Sequence, residues 1–241
     1  MIRYVLVGIV VIIALLIYMA PATLLKQPLA TVPDIDVQQL RGTLWQGQGL
    51  LAVAQTPLGD LHWRAQPTAL LSGRMAASYQ LAGSNLALTG EVAVATKSVN
   101  ASTNGEVQAA LINQLLADYE LSMSGALEPE AVSVELVEQR VTALNGQIHW
   151  AGGIVSYALE GRQATQQLPP MRADLSLDEA DLPLATIYSD GVNFPVLTLR
   201  LMDSGFVKVS LTRRFTQIVG MPWPGSEPDH AVVLEVEQQV F

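Results

Sequence analysis

The sequence contains no cysteine and carries little charge. Without cysteine among its 241 residues, disulfides, thiolate nucleophiles and cysteine-ligated metals are excluded. Only 15% of the residues are charged, and 13 basic against 22 acidic side chains give a net charge of −9. Because such an acidic chain repels phosphate backbones, we expect no nucleic-acid partner. Half of the residues are hydrophobic, which is enough to build one large domain or two small ones.

The apolar run over residues 4–22 contains no formal charge. At about 1.5 Å per residue, a helix of this length spans a hydrocarbon core of roughly 30 Å. Arg3 precedes the run, so the positive-inside rule makes residues 1–3 a cytoplasmic tail and exports the rest. Two alternatives remain: a signal peptide cleaved at Ala20-Pro21-Ala22, and a buried helix of a soluble protein. An uncleaved anchor over 4–22 and a linker over 23–36 are favoured, because a signal-peptide core has only roughly 7 to 15 apolar residues.

Beyond the linker, short alternating segments dominate the chain. Residues 196–201 and 207–211 alternate in hydrophobicity around Asp203-Ser204-Gly205, which is typical of a β-hairpin. Residues 75–95 and the last ten residues follow the same pattern. We therefore predict a mainly β domain over 37–241, formed by a curved antiparallel sheet or partial barrel. Helical spacing of apolar residues predicts two short helices, over 107–119 and 213–219.

Two phrases suggest an internal duplication. Gly59-Asp60-Leu61-His62-Trp63 and Gly146-Gln147-Ile148-His149-Trp150 share the pattern Gly-x-aliphatic-His-Trp, and Leu-x-Gly-Arg follows each of them. This repetition predicts two related sub-units, 37–125 and 126–241, with chance similarity as the alternative. Within a strand, the tryptophan and the histidine lie on opposite faces, so Trp63 and Trp150 are predicted core anchors rather than ligand platforms.

A glycine and tryptophan motif begins the predicted domain. Gly42-Thr43-Leu44-Trp45-Gln46-Gly47 is followed by Leu58 to Trp63, Pro67 and Leu70-Leu71-Ser72-Gly73. With the preceding apolar segment, this motif resembles the type II secretion system protein N family, also called general secretion pathway protein N. The resemblance implies a bitopic inner-membrane accessory component of the machine that moves folded exoproteins from the periplasm across the outer membrane. It also implies other secretion subunits as partners, and it carries over no catalytic residue.

The motif residues themselves are best interpreted as structural. Gly42 and Gly47 flank Trp45, and glycine at such positions permits a tight turn, a bulge or a close backbone approach. Trp45 is predicted to lie in the core, with contact to a partner protein as the alternative. We assign Gly73 to the same structural group, because it is the glycine of the Leu-x-Gly-Arg phrase.

Residues capable of chemistry are sparse. His62, His149 and His230 are far apart, and neither His-Glu-x-x-His nor Gly-x-Ser-x-Gly occurs. If the sub-units pack symmetrically, His62 and His149 can share a metal, but solvated histidines are the favoured interpretation. Two acidic stretches stand out, and neither has the spacing of an EF-hand. The first contains Glu128, Glu130, Glu135 and Glu138, and the second contains Asp174, Asp178, Glu179 and Asp181.

These observations favour a binding or assembly role. We expect no cofactor and no enzymatic activity, and we predict that Asp174, Asp178, Glu179 and Asp181 contact a partner, because acidic connections between strands are exposed. An anchored periplasmic carrier of lipid or another hydrophobic ligand, held in an open β groove, is the alternative. An enzyme remains a third hypothesis, which would require a cleft with perturbed carboxylates.

Overall fold

The computed structural model describes residues 19–26, 34–53, 55–115, 117, 120–159 and 162–239. The chain divides into two compact units, residues 1–96 and 97–241. This boundary precedes the one predicted from the repeated phrases, after residue 125. In the described part of the chain, no helix is both long and apolar enough to cross a membrane. Of the anchor predicted over 4–22, residues 4–18 lie outside the described residues, as does the predicted tail over 1–3.

The first unit is a five-stranded antiparallel meander. Its strands follow one another in chain order, and two short 3₁₀ helices accompany them. The strands are β1 Ile35–Gly42, β2 Gln46–Val53, β3 Thr56–Gln66, β4 Met75–Ala82 and β5 Leu86–Val94, and the 3₁₀ helices are Ala22–Leu25 and Pro67–Ser72. Strand β1 has a bulge between Gln38 and Arg41.

The register gives this sheet one apolar and one polar face. Leu61 pairs with Leu81 and Leu81 with Leu88, which forms a cross-strand apolar row on β3, β4 and β5. The next residue along β3, His62, starts a row with Gln80 and Thr89 on the opposite face. The alternation seen in the sequence therefore sets which face is apolar.

The second unit contains an eight-stranded antiparallel sheet and a small three-stranded one. Their orders are β6-β8-β9-β12-β13-β14-β15-β16 and β11-β10-β7, and both orders are open. The strands are β6 Ser98–Gln108, β7 Leu121–Met123, β8 Ala126–Val137, β9 Arg140–Trp150, β10 Gly153–Leu159, β11 Arg162–Leu168, β12 Met171–Leu177, β13 Pro183–Ser189, β14 Leu197–Leu201, β15 Phe206–Thr212 and β16 Val232–Gln239. The hairpin β10–β11 is inserted between two neighbours of the larger sheet, β9 and β12.

Two short helices continue strands of the second unit. Helix α1, Ala109–Leu115, follows β6, and helix α2, Arg213–Ile218, follows β15. Thr212 caps α2, since its hydroxyl accepts a hydrogen bond from the Phe215 N–H at 3.3 Å. The helix predicted over 107–119 begins two residues later in the structure, because β6 extends to Gln108, and residues 116, 118 and 119 of that prediction lie outside the described residues.

The prediction of a mainly β, antiparallel fold with two short helices is confirmed, and each unit contains an open sheet. In the second unit the most buried position is Val196, where β14 is about to begin. Its N–H donates to the Ile187 carbonyl oxygen, and its own carbonyl accepts from both the backbone and the hydroxyl of Thr212. These bonds hold β13, β14 and β15 together at one end of the sheet.

Candidate functional site

The glycine and tryptophan motif forms the turn between β1 and β2. Gly42 pairs with Gly47 at the end of the hairpin, and its φ of +94° lies in the region that favours glycine. A Cβ atom at Gly42 would also lie 2.5 Å from the Gln46 carbonyl oxygen. Both the backbone angle and the available space therefore require glycine at this position.

Gly47 makes room for a tryptophan on the neighbouring strand. It pairs with Trp63 of β3, and a Cβ atom at Gly47 would collide with the Trp63 indole ring and the Arg41 carbonyl oxygen. The Trp63 Nε1–H donates to the Leu44 carbonyl oxygen at 3.3 Å, inside the motif turn. Trp45 is half-buried, and its carbonyl oxygen accepts from the Ala65 N–H at 2.6 Å. The motif is thus a structural element of the first unit.

The same turn binds the residues that end the predicted anchor. Pro21 forms an isolated antiparallel bridge with Thr43, and the Leu44 N–H donates to the Ala20 carbonyl oxygen at 2.8 Å. Ala22, the first residue of the following 3₁₀ helix, is buried. Residues 20–22 are therefore part of the folded first unit, and the segment predicted as a linker over 23–36 contains the rest of this helix and the start of β1.

Trp150 occupies a similar local position in the second unit. It is only 7% exposed, and its Nε1–H donates to the Ser124 carbonyl oxygen at 2.9 Å. Both repeated phrases begin with a glycine at positive φ, +144° at Gly59 and +119° at Gly146, where a Cβ atom would collide with the adjacent strand. The two phrases share the positive-φ glycine and an indole bond to a carbonyl oxygen, whereas the duplication of whole sub-units stays a prediction.

Gly73 ends the 3₁₀ helix Pro67–Ser72. Its φ of +71° is left-handed, and its N–H bonds to the carbonyl oxygens of Ala69 and Leu70. A Cβ atom there would meet no other atom within 4 Å. Gly73 is consequently needed for the helix end and not for packing. Of the second Leu-x-Gly-Arg phrase, residues 160 and 161 lie outside the described part of the chain.

Asp178 holds the turn between β12 and β13. Its Oδ1 atom accepts from the N–H groups of Ala180 at 2.8 Å and Leu182 at 2.9 Å, and its Oδ2 atom lies 2.7 Å from Arg200 Nε. The Leu182 N–H is the largest influence that holds the pKa of Asp178 below its ordinary value, and the Ala180 N–H and Arg200 act in the same direction. With 9% of its side chain exposed, Asp178 has a structural part in this turn.

The other three acids of the predicted partner contact have different surroundings. Asp174 lies on β12 and makes a two-point ion pair with Arg172, with distances of 2.9 and 3.2 Å. Glu179 and Asp181 are exposed in the turn that Asp178 organises. The structure therefore brings Asp178, Glu179 and Asp181 together and leaves Asp174 within a strand. Contact with a partner at these residues stays a prediction.

A polar row crosses the second unit near the end of β9. Glu128, His149, Arg172 and Tyr188 are consecutive cross-strand neighbours on β8, β9, β12 and β13. His149 Nε2 lies 3.1 Å from Glu130 Oε2, and the Arg172 guanidinium stacks over the Tyr188 ring at 5.2 Å. The four residues of the polar row line an open cavity of about 660 Å³ that Trp150 and Ser189 also border.

Metal ligands do not cluster in the described residues. No group of three or more histidine, aspartate or glutamate side chains is placed to hold a metal ion there. His62 lies on β3 in the first unit and His149 on β9 in the second, while His230 makes an edge contact with the Phe194 ring. The proposed sharing of a metal by His62 and His149 gains no support from these positions.

Strand β16, which alternation in the last ten residues predicts, presents an apolar edge. Its alternate residues Val232, Leu234 and Val236 are 53%, 41% and 45% exposed. Leu234 continues a cross-strand apolar row through Leu211, Leu197 and Ile187. On the opposite face of β16, Glu235 bonds to Lys208 at 2.9 Å, which contributes most to lowering its pKa, and Glu237 is exposed. Among the described strands, only β15 pairs with β16.

The outer strand of the first unit, β1, has features that hinder pairing with another chain. Strand β1 has a bulge with Gln39 at a φ of +51°, and the 3₁₀ helix Ala22–Leu25 packs against it. Bulges and covering segments are common ways to prevent a sheet edge from pairing with another chain. Strand β16 has a bulge at Val233, between the pairs Thr212–Val232 and Leu211–Leu234, but it is regular from Leu234 onwards and contains neither proline nor lysine. An additional strand can therefore pair with β16.

Comparison with known proteins gives one match. Residues 33–212 match the family model described as type II secretion system (T2SS), protein N. The matched range begins just before β1 and ends with β15, so it covers most of both units. No curated protein and no solved structure gives a significant match.

Proposed function

Because the chain belongs to the type II secretion system protein N family, we propose that it is an accessory component that supports exoprotein export by binding other secretion subunits. The family match over 33–212 is the observation that carries this proposal. Two units built from open antiparallel sheets suit an assembly role, because their exposed edges and turns offer contact surfaces. The proposal includes no catalytic step.

We further propose that the binding surface is the apolar edge of β16. A strand added beside β16 would cover Val232, Leu234 and Val236 and continue the row that runs through Leu211 and Leu197. The fitting partner strand alternates apolar residues with basic ones, because Glu235 and Glu237 occupy the other face of β16. Backbone hydrogen bonds supply affinity in such a complex, and the alternate side chains supply specificity.

Site-specific cross-linking tests this surface. A photo-reactive amino acid placed at Val236 should give cross-links to a secretion subunit in membranes that contain the whole system. Ile154 is a matched control, because this apolar residue of β10 is 50% exposed and lies in the small sheet. Equal cross-linking from both positions, or none from Val236, would remove β16 as the binding surface.

Anchoring in the inner membrane by the part of the apolar run 4–22 that precedes the folded residues 20–22, with both units in the periplasm, is part of the same proposal. It is supported by the uncharged apolar run and by Arg3 before it. A reporter active only in the periplasm, fused after Phe241, should be active, whereas a cytoplasmic reporter at the same site should not. Cytoplasmic activity would contradict the placement. Transport of a lipid or another hydrophobic ligand stays the alternative, and no contact described above favours it.

A further inference from the structure

One end of the first unit contains two turns, the end of β5 and residues 19–26. The β1–β2 turn and the β3–β4 turn lie at this end, since Gln46 pairs with Arg64 and Gln66 with Ala76. The end of β5 lies there as well, because Val94 pairs with Met75. Residues 19–26 lie at the same end, because Ala20 and Pro21 bind the β1–β2 turn. We call this region the basic end, defined by residues 19–26, 41–46, 64–75 and 92–96.

Large apolar side chains are unusually exposed at the basic end. Leu71, in the 3₁₀ helix Pro67–Ser72, is 92% exposed, and its neighbour Leu70 is 45% exposed. Four more exposed apolar residues belong to the same end: Met19 at 70%, Leu24 at 58%, Met75 at 49% and Val94 at 45%. Single exposed apolar residues are ordinary, but a group of this size marks an interaction surface.

The charges of the first unit are also divided between its ends. Lys26, Arg41, Arg64 and Arg74 are all exposed at the basic end, and one acid, Glu91, lies next to it in a polar row with Arg64. The other three acids of the unit, Asp34, Asp36 and Asp60, lie towards the opposite end, where Ile35 pairs with Val53. The second unit, residues 97–241, holds eighteen acidic and eight basic residues. A cationic surface on so acidic a chain therefore requires an explanation.

We propose that the basic end rests on the surface of the bilayer that the predicted anchor enters before the folded residues 20–22. Leu70 and Leu71 lie among the upper acyl chains, and Lys26, Arg41 and Arg74 face anionic lipid headgroups. Apolar side chains flanked by basic ones are the composition with which peripheral segments bind an anionic interface. Residues 20–22 are held against the β1–β2 turn, so the chain leaves the basic end directly towards the apolar run. This contact depends on the predicted anchor and not on the role in secretion.

A single labelled cysteine measures the contact, because the chain has none of its own. The full chain carrying Leu71→Cys and an environment-sensitive fluorophore is reconstituted, one copy per nanodisc, in phosphatidylethanolamine with phosphatidylglycerol. Ser84→Cys is the matched control, since this exposed residue lies in the β4–β5 turn at the opposite end. Circular dichroism and the unfolding midpoint show that both variants fold like the parent.

The label at position 71 should emit at shorter wavelength and be quenched several-fold more strongly by lipids brominated on the acyl chain than the label at 84. Equal quenching at both positions would overturn the proposal. A shift to shorter wavelength at 71 without quenching would also overturn it, because it would indicate a protein contact. Replacing phosphatidylglycerol with phosphatidylcholine should reduce the quenching at 71, and unchanged quenching would reject the part assigned to Lys26, Arg41 and Arg74.

Discussion

The indole ring of Trp63 lies directly against the backbone of Gly47 on the neighbouring strand, closer than any β-carbon at Gly47 would allow. An aromatic ring placed across a glycine in this way covers the gap that the missing side chain leaves in a sheet. The motif that identifies the chain is therefore a packing arrangement. The position of the Trp63 ring requires glycine at position 47.

Gly47→Ala should lower the free energy of unfolding by about 1–3 kcal/mol, because the added methyl group forces the Trp63 ring to move. Urea denaturation measures the change. In the double variant Gly47→Ala with Trp63→Leu, the two losses should sum to more than the measured loss, since the smaller side chain makes room for the methyl group. Strictly additive losses would show that the ring and the glycine do not interact.

Trp150→Ala should destabilise the chain by about 3–5 kcal/mol, the usual loss for a buried aromatic side chain. Trp63→Ala should have a smaller effect, because Trp63 is only half-buried. Trp150→Phe separates packing from hydrogen bonding: it leaves the Ser124 carbonyl oxygen without its indole donor and should lose about 1–3 kcal/mol. Unfolding midpoints at or above that of the parent would show that Trp150 is not a core anchor.

The turn acid Asp178 should contribute stability that depends on pH. Its pKa is lower in the folded chain, so its contribution is complete above the unfolded value of about 3.9 and disappears as the pH falls through the folded value. The parent should therefore exceed Asp178→Asn in stability at pH 7, and the difference should shrink under acid conditions. Asp181→Asn in the same turn is the control. A difference that stays constant down to low pH would contradict the assignment.

The exposed acids Glu179 and Asp181 can be neutralised without loss of folding. Because exposed charges contribute little to stability, Glu179→Gln with Asp181→Asn should unfold at the same midpoint as the parent. If a basic partner docks on this turn, the double variant should bind it more weakly, and the difference should fade as salt screens the charges. Partner recovery equal to that of the parent at every salt concentration would exclude the turn as a contact.

The regular parts of the fold were predictable because local sequence determines them. The hairpin around Asp203-Ser204-Gly205 is confirmed as β14 and β15, with Gly205 at a φ of +79°, and the helix predicted from Arg213 is confirmed as α2. Alternation and a glycine turn are sufficient signals for such elements. The position of Trp150 in the core was likewise predicted, and the structure confirms it.

Other features depend on contacts between residues far apart in the sequence, which local patterns do not predict. The insertion of β10 and β11 places Ile154 beside Ser124, and only Gly152-Gly153 and Pro169-Pro170 marked its limits in the sequence. Strand β16 has the alternation of an ordinary half-buried strand, so its exposure follows only from its place in the sheet order. The sequence predicts Asp178 as an exposed partner contact, whereas its bonds to the N–H groups of Ala180 and Leu182 depend on the conformation of the folded turn.

The release of exoproteins by a deletion strain tests the central claim most directly. Cells that lack this chain should accumulate folded exoproteins in the periplasm, and the parent gene should restore their release. A variant with Leu234→Lys and Val236→Lys on the edge of β16 should fold but not restore release, whereas the control Ile154→Lys should restore it. Normal exoprotein release by the deletion strain would contradict the proposed role in exoprotein export.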